Sequence, residues 1–339
     1  MLVVSEEDED LETCSNYLLE KGDLLFARTG ASVGKTYLYR PFDGKVYFAG
    51  FLIRARVGNE ADSEFVFQST LTERYRRYIS ITSQRSGQPG VNAQEYAELE
   101  IPLPSLPEQR EIGSLLHGVD NLITLHQRKH DRLVVLKKAL LGRMFPRDGS
   151  RFPELRFDGF TDPWEQRKLG DITNSYSGGT PQANNSAYYN GSIPFIRSAE
   201  INADKTELFL SERGLAESSA AMVDAGCILY ALYGATSGEV GISRIDGAIN
   251  QAILAIYPYE GFDASFLASW LRREKDEIVA TYLQGGQGNL SGAIVKNLEV
   301  AVPSMPEQKA IGSCLTSLDN LITLHQRYAK RHSNCTDTV

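Results

Sequence analysis

The sequence predicts a mixed α/β chain built as two globular units, each closed by a long helix, with the two helices pairing as an antiparallel coiled coil. Three observations carry this. The first is an internal repeat. IPLPSLPEQREIGSLLHGVDNLITLHQR (Ile101 to Arg128) aligns without a gap on VAVPSMPEQKAIGSCLTSLDNLITLHQR (Val300 to Arg327), with 18 of 28 positions identical. The second is a weaker match upstream, where GDLLFARTGASVG (Gly22 to Gly34) parallels GCILYALYGATSG (Gly226 to Gly238). The third is the apolar period of the repeated stretch, which is that of a coiled coil.

Each element follows from its local pattern. The globular parts hold short β-rich runs such as CILYALY and AILAIYP between Gly-rich turns. Phe266 to Tyr282 reads as a helix, with Phe266, Leu267, Trp270, Leu271 and Ile278 on one face, and Phe65 to Ile79 reads as its counterpart. A polar Gly/Gln loop follows each: SQRSGQPGVN (Ser83 to Asn92) and LQGGQGNLS (Leu283 to Ser291). Pro102, Pro104 and Pro107 close the first globular part, and Ser105 stands three residues before Glu108, the spacing of a capping box. A helix from Glu108 to Phe145 would be about 57 Å long at 1.5 Å per residue, and Pro146, Asp148 and Gly149 stop it.

Its heptad runs through Ile112, Val119, His126, Leu133 and Leu140, with Leu115, Leu122 and Leu136 as companions. Ile311, Leu318 and His325 keep the phase in the second copy. Both histidines therefore fall on the seam, where a hydrogen-bonded role is expected ahead of a metal or switch role. The resulting division is residues 1–103, a first globular unit; 104–150, a helical spacer; 151–303, a second globular unit; and 304–339, a second spacer.

Composition bounds the function. Of the 339 residues 42% are hydrophobic and 23% charged, a soluble globular balance. No apolar run approaches the ~20 residues that span a bilayer, and the opening MLVVSEEDED turns acidic at once, unlike a signal peptide. Cysteines 14, 227, 314 and 335 are scattered, with no C-x-x-C pair, so a reducing cytoplasm fits and neither a disulfide framework nor a zinc site is expected. The net charge of −8 argues against a general nucleic-acid binder, but not against a reader whose partners supply positive charge.

Catalytic motifs fail on inspection. GASVGKT (Gly30 to Thr36) has three residues between its glycines where a phosphate-binding loop needs four. Its sister GATSGEV puts Glu239 and Val240 where Lys35 and Thr36 stand, so the glycines are expected to serve tight turns. TDPWE (Thr161 to Glu165) lacks the second proline of the adenine-methyltransferase motif and reads as a surface turn entering a strand. A nucleotide hydrolase using Lys35 stays open as a competing class.

Two divergent globular units, each closed by a Pro-Glu-Gln segment (Pro107, Glu108, Gln109 and Pro306, Glu307, Gln308) and a near-identical helix, with the linker RFPELRFDGFTDPWEQRKLGDI between them, resemble the specificity subunit of type I restriction-modification systems. The resemblance covers essentially the whole chain. It implies two target recognition domains, each reading half of a split double-stranded DNA sequence, with the helices fixing the gap between half-sites. It implies that the chain is not itself an enzyme. Two adenine-methyltransferase subunits and the translocase/endonuclease subunits would dock on it, with the Pro-Glu-Gln residues as candidate partner contacts. S-adenosylmethionine, ATP and Mg would belong to those partners.

Base-edge readout calls for Arg, Lys, Asn and Gln on a rigid scaffold. The candidates are Arg28, Lys35, Gln84, Arg85, Gln88 and Asn92 in the first unit. In the second they are Arg197, Asn202, Tyr233, Thr236, Asn250, Gln251, Gln284, Gln287 and Asn289. Against this plan the first unit has about 50 fewer residues before its Gly-rich turn than the second, and the second helix loses its heptad after Arg327. Both ends are therefore expected to be truncated. That leaves an alternative: a structural or silent-cassette fragment, or one product of a split gene, without independent DNA binding.

Overall fold

A computed structural model of the chain describes residues 15–85, 87–147, 149–283 and 289–336. Its contacts divide the chain into two compact units, one of residues 1–129 with 325–339 and one of residues 130–324.

In the first unit β1 (Asp23–Ala27) is the centre of a three-stranded antiparallel sheet, flanked by β2 (Thr36–Leu38) and β3 (Leu52–Arg56). β1 is buried on both faces, which is why it reads as a continuous apolar run rather than an alternation. Leu24 and Phe26 pack with Tyr75, Ile79, Val91 and Tyr96 on one side, and Leu25 packs with Leu19, Tyr39 and Val46 on the other. α1 (Ser63–Ser69), α2 (Glu73–Thr82) and α3 (Ala93–Ala97) follow, capped by Asp62, Thr72 and Asn92. α4 (Leu106–Arg143) is the first spacer helix and begins one residue after Ser105.

The second unit opens with β4 (Glu165–Lys168), α5 (Leu169–Ile172) and β5 (Thr173–Ser177). Then come β6 (Tyr189–Ile196), β7 (Leu208–Leu210), α6 (Glu212–Ala216) and β8 (Ala221–Val223). β9 (Ile228–Ala231), β10 (Val240–Ile242), β11 (Gly247–Ile249) and β12 (Ile253–Pro258) complete the main strands. α7 (Ala264–Tyr282), α8 (Gly292–Lys296), β13 (Glu299–Val302) and the second spacer helix α9 (Met305–Thr336) end the chain. The sheets run β10-β9-β12-β5, β7-β6-β11-β8 and β13-β4. The apolar runs CILYALY and AILAIYP are β9 and β12, as the sequence predicts.

The weak upstream repeat is a repeat of structure. β1, β2 and β3 have the pairing of β9, β10 and β12: Leu24 stands opposite Leu38 as Ile228 stands opposite Ile242. Gly22, Gly30 and Gly34 have positive φ of 88°, 74° and 81°, and Gly226, Gly234 and Gly238 repeat them at 95°, 73° and 81°. These turns need glycine, and that accounts for the Gly-rich match without a nucleotide.

Two expectations change. Phe65 to Ile79 is not one helix like α7 but two, because the first unit has one residue more between the cap (Asp62, Asp263) and the position facing the turn glycine (Ile79, Val279). Thr72 caps the restart, accepting from the Tyr75 N–H at 3.4 Å. In α4 the companions of the heptad are not Leu115, Leu122 and Leu136, which are exposed. The half-covered positions lie one residue further on, at Leu116, Ile123, His130 and Lys137. Three- and four-residue steps both return to one helix face, so the apolar pattern alone did not choose between them.

The helices pair antiparallel. Lys137 pairs with Asp319 within the second unit, and His126 meets His325 within the first. There the two Nδ1 atoms are 2.8 Å apart and share a hydrogen bond, while the ring of Tyr328 stacks on His126. Near this end α9 remains helical to Thr336 despite losing its apolar period.

Candidate nucleic-acid interface

Strand ends gather the loop residues that the sequence scatters. In the first unit the turn at Gly30 and the loop before α3 are joined: Gly30 donates to Pro89 O at 3.0 Å and Val91 to Arg28 O at 2.8 Å. This brings Arg28, Gln84, Arg85 and Gln88 to one end of the sheet. A Cβ at Gly30 would fall 2.8 Å from the Gln88 amide, so that side chain lies directly over the turn. Arg28 and Lys35 are exposed and have no ion-pair partner among the described residues.

The second unit repeats the device. Tyr233 bridges Asn289, and Leu290 donates to Leu232 O at 3.0 Å. Leu232 also donates to Ala252 O, which places Asn250 and Gln251 at the same end. β11 runs parallel to β6 with Ile249 opposite Ile196, so Arg197 arrives there as well. Thr180, which the sequence did not single out, donates to Gln251 Oε1 at 2.7 Å. Its only signal was a Gly-Gly-Thr turn following β5. Asn202 is exposed but lies beside Gly241 of β10, away from the strand ends. Gln284 and Gln287 lie outside the described residues.

Several candidates are already engaged. Asn92 is a helix cap, accepting from Glu95 N–H at 2.9 Å while Glu95 accepts from its own N–H at 2.8 Å. That backbone bond, outweighing burial, and the paired Arg85 hold the Glu95 carboxyl below its usual range. Asn250 closes its own turn on the Ala252 N–H at 3.0 Å, and Thr236 donates to Tyr233 O at 3.3 Å. Arg197 is held by two carboxylates, Glu200 at 3.0 Å and Glu207 at 2.5 Å. Burial by itself would raise the Glu200 carboxyl, but its bonds from Arg197 and from the Glu207 N–H hold it below 4.5.

A depressed folded-state value stabilises above the ordinary value and is lost as pH falls through the folded one. Amide protection over 197–207 is therefore expected to decline below pH 4.5. Hydrogen exchange measured against pH checks it, and a turn that tightens in acid would contradict the assignment.

The Pro-Glu-Gln segments also change character. Pro107, Glu108 and Pro306 are exposed, but Gln109, Glu307 and Gln308 are each only 1% accessible. Gln109 accepts from Asp62 N–H at 2.9 Å and donates to Pro104 O at 2.9 Å and Glu60 O at 3.4 Å. Gln308 makes the same three bonds, with Asp263 N–H at 2.9 Å, Pro303 O at 2.9 Å and Gly261 O at 3.3 Å. Four residues on, Gly113 and Gly312 let the spacer helix approach these same caps; a Cβ at Gly312 would fall 2.7 Å from Asp263 Oδ1. These glutamines fasten each spacer helix to its own globular unit and are not available to a partner.

No group of three or more metal-ligating side chains occurs among the described residues. Burial pushes the Cys227 thiol up to about 11, far from a nucleophile at neutral pH. No helix among the described residues is long and apolar enough to cross a membrane.

The model of the type I restriction modification DNA specificity domain matches residues 4–134 and 161–331. The specificity subunit of the type I restriction enzyme MjaVIII from Methanocaldococcus jannaschii is 23% identical over 332 residues, covering 93% of this chain and 76% of its own. The putative MjaX specificity subunit of the same organism is 25% identical over 338 residues, covering 95% and 77%. Among solved structures, the type I restriction-modification S subunit from M. genitalium superposes with a TM-score of 0.63 at 17% identity, over 94% of this chain and 81% of that one. The fold is thus shared where identity is low, and the family match follows both copies of the repeat. The chain belongs to the type I restriction modification DNA specificity domain family.

Proposed function

We propose that the chain is the sequence-reading subunit of a type I restriction-modification complex, with each globular unit reading one half of a bipartite double-stranded DNA target. One observation carries this: the same cluster of turn, strand-end loop and helix cap is built twice, each time fastened rigidly to a spacer helix by a buried glutamine. Two rigid readers on paired helices fix the separation of two half-sites, as half-site geometry requires. The units are residues 1–103 and 151–303, and the spacers 104–150 and 304–339.

The reactions fall to partners: methyltransferase subunits, which use S-adenosylmethionine, and translocating nuclease subunits, which use ATP and Mg. The complex would work in the cytoplasm. The exposed Leu115, Leu122 and Leu125 offer α4 an apolar face for such a partner.

Methylome sequencing of a strain expressing this chain with its methyltransferase tests the reading; a split methylated motif is expected. In the assembled complex Arg28→Ala with Lys35→Ala should weaken binding alike on all sequences and reduce the salt slope by about 2. Gln251→Ala with Asn289→Ala should instead relax one half-site, at about 1–3 kcal/mol per lost base contact. A silent or purely structural fragment would yield no motif and no shift in a mobility assay with the methyltransferase present.

A further inference from the structure

Two turns meet at one end of the second unit. The first joins β11 to β12. There Asn250 accepts from the Ala252 N–H at 3.0 Å, and the Ile253 N–H donates to Asn250 O at 3.3 Å. Leu232 N–H donates to Ala252 O at 2.8 Å, so the backbone is pinned on both sides of Gln251, the exposed residue of this turn. The second turn follows β5. Gly178 and Gly179 press it onto its neighbours: a Cβ at Gly178 would fall 1.9 Å from Ile249 O, and one at Gly179 would fall 2.6 Å from Ser219 Cβ. Pro181 is buried, and its carbonyl accepts from the Tyr189 hydroxyl at 2.9 Å. Thr180 is thus an exposed side chain on a fixed backbone, and its hydroxyl donates to Gln251 Oε1 at 2.7 Å. Branching at Cβ stiffens χ1 of threonine and keeps the hydroxyl aimed.

The first unit keeps the turn and omits the side chain. Leu52 stands opposite Ala27 as Ile253 stands opposite Ala231, and Arg28 N–H donates to Phe51 O at 3.1 Å as Leu232 does to Ala252 O. That register puts Gly50 in the place of Gln251, and a Cβ at Gly50 would meet nothing within 4 Å. The turn forms without a glutamine, so folding does not require the amide. A bond between two exposed neutral groups also adds little to stability, because water competes for both. What the bond does is orient the amide. With Oε1 turned to Thr180, Nε2 has no partner among the described residues and keeps both its donors, and Oε1 keeps its second lone pair.

We propose that Thr180 is a positioning residue: it holds Gln251 in one orientation, so that this amide reads a single base pair, donating from Nε2 to an acceptor on the base edge. The inference rests on the reading of DNA by the second unit proposed above. A prearranged amide loses less freedom on binding, and it presents one order of donor and acceptor, which an edge of another order does not match. Valine at 180 keeps the shape of threonine without the hydroxyl, and it leaves the amide to rotate and match more than one edge.

The test uses the complex assembled with its methyltransferase, read by methylome sequencing and by competition with duplexes substituted one base pair at a time. Thr180→Val should lower discrimination at one position of one half-site by about fivefold or more, with the other half-site unchanged. Thr180→Ser should retain it. In a Gln251→Ala background Thr180→Val should add nothing, as two residues acting through one contact require. Amide exchange over 247–257 should match the unsubstituted chain in each variant. The proposal is overturned if Thr180→Val leaves the motif intact, blurs several positions together, speeds exchange over 247–257 or has its full effect without Gln251. An unsubstituted complex with no split motif would instead remove the reading of DNA itself, and this inference with it.

Discussion

Replacing Trp164 with alanine is expected to destabilise the second unit by about 3–5 kcal/mol. Trp164 is wholly buried between Phe145 and Phe266, at 6.1 and 5.7 Å between ring centroids. It is the linker residue directly before β4, so it fixes where β4 meets β13. Removing the indole empties the meeting point of α7, the end of α4 and the two-stranded sheet. For a unit of this size the loss corresponds to a fall in melting temperature of roughly 6–20 °C.

Trp164→Phe should cost distinctly less. The indole Nε1 is buried without a hydrogen-bond partner among the described residues, so phenylalanine keeps the ring contact and removes an unsatisfied donor. Exchange-resolved thermal unfolding checks both variants. A Trp164→Ala loss below about 1 kcal/mol, or one felt equally in both units, would show that the linker is not fastened here.

That tryptophan also marks where the sequence ceased to be legible. Thr-Asp-Pro-Trp-Glu reads as a surface turn, since proline and aspartate are turn formers. The turn is there, but the side chain that follows it is core, because it plugs a gap left by elements far away in sequence. The repeat, the spacer helices and the strands β9 and β12 were legible, because each depends on a local period that sterics translate directly into structure. Glycine turns were legible for a better reason: the sister copy lost the lysine and kept the glycines.

The candidate site was legible as a set of loops but not as a set of free side chains. Loops at strand ends carry polar residues, and some of those residues must first satisfy the backbone that positions them. Asn92, Asn250 and Arg197 are spent this way. The buried glutamines could have been recognised. Gln109 and Gln308 recur while the surrounding globular parts diverge, which is what a shared fastening demands and a variable reading surface does not.

The same dipeptide, Glu-Gln, supplies a control within the chain. Glu307→Ala is expected to cost about 3–5 kcal/mol, whereas Glu108→Ala should stay within about 0.5 kcal/mol. Glu307 is 1% accessible and accepts both Nε and Nη2 of Arg156, at 2.7 and 2.8 Å. Arg156 in turn donates to Asp162 O at 2.7 Å, so the pair ties the linker to the first turn of α9. Alanine at 307 strands a largely covered guanidinium, and that penalty, more than the lost attraction, sets the magnitude. Glu108 occupies the equivalent place on α4 but is exposed. Replacing both partners with apolar residues, Arg156→Met and Glu307→Leu, should restore much of the stability, since neither charge then needs solvating. A double-mutant cycle in chemical denaturation measures this. If Glu307→Ala and Glu108→Ala cost the same, the ion pair contributes nothing beyond a surface contact, and the linker must be held by its aromatic anchor alone.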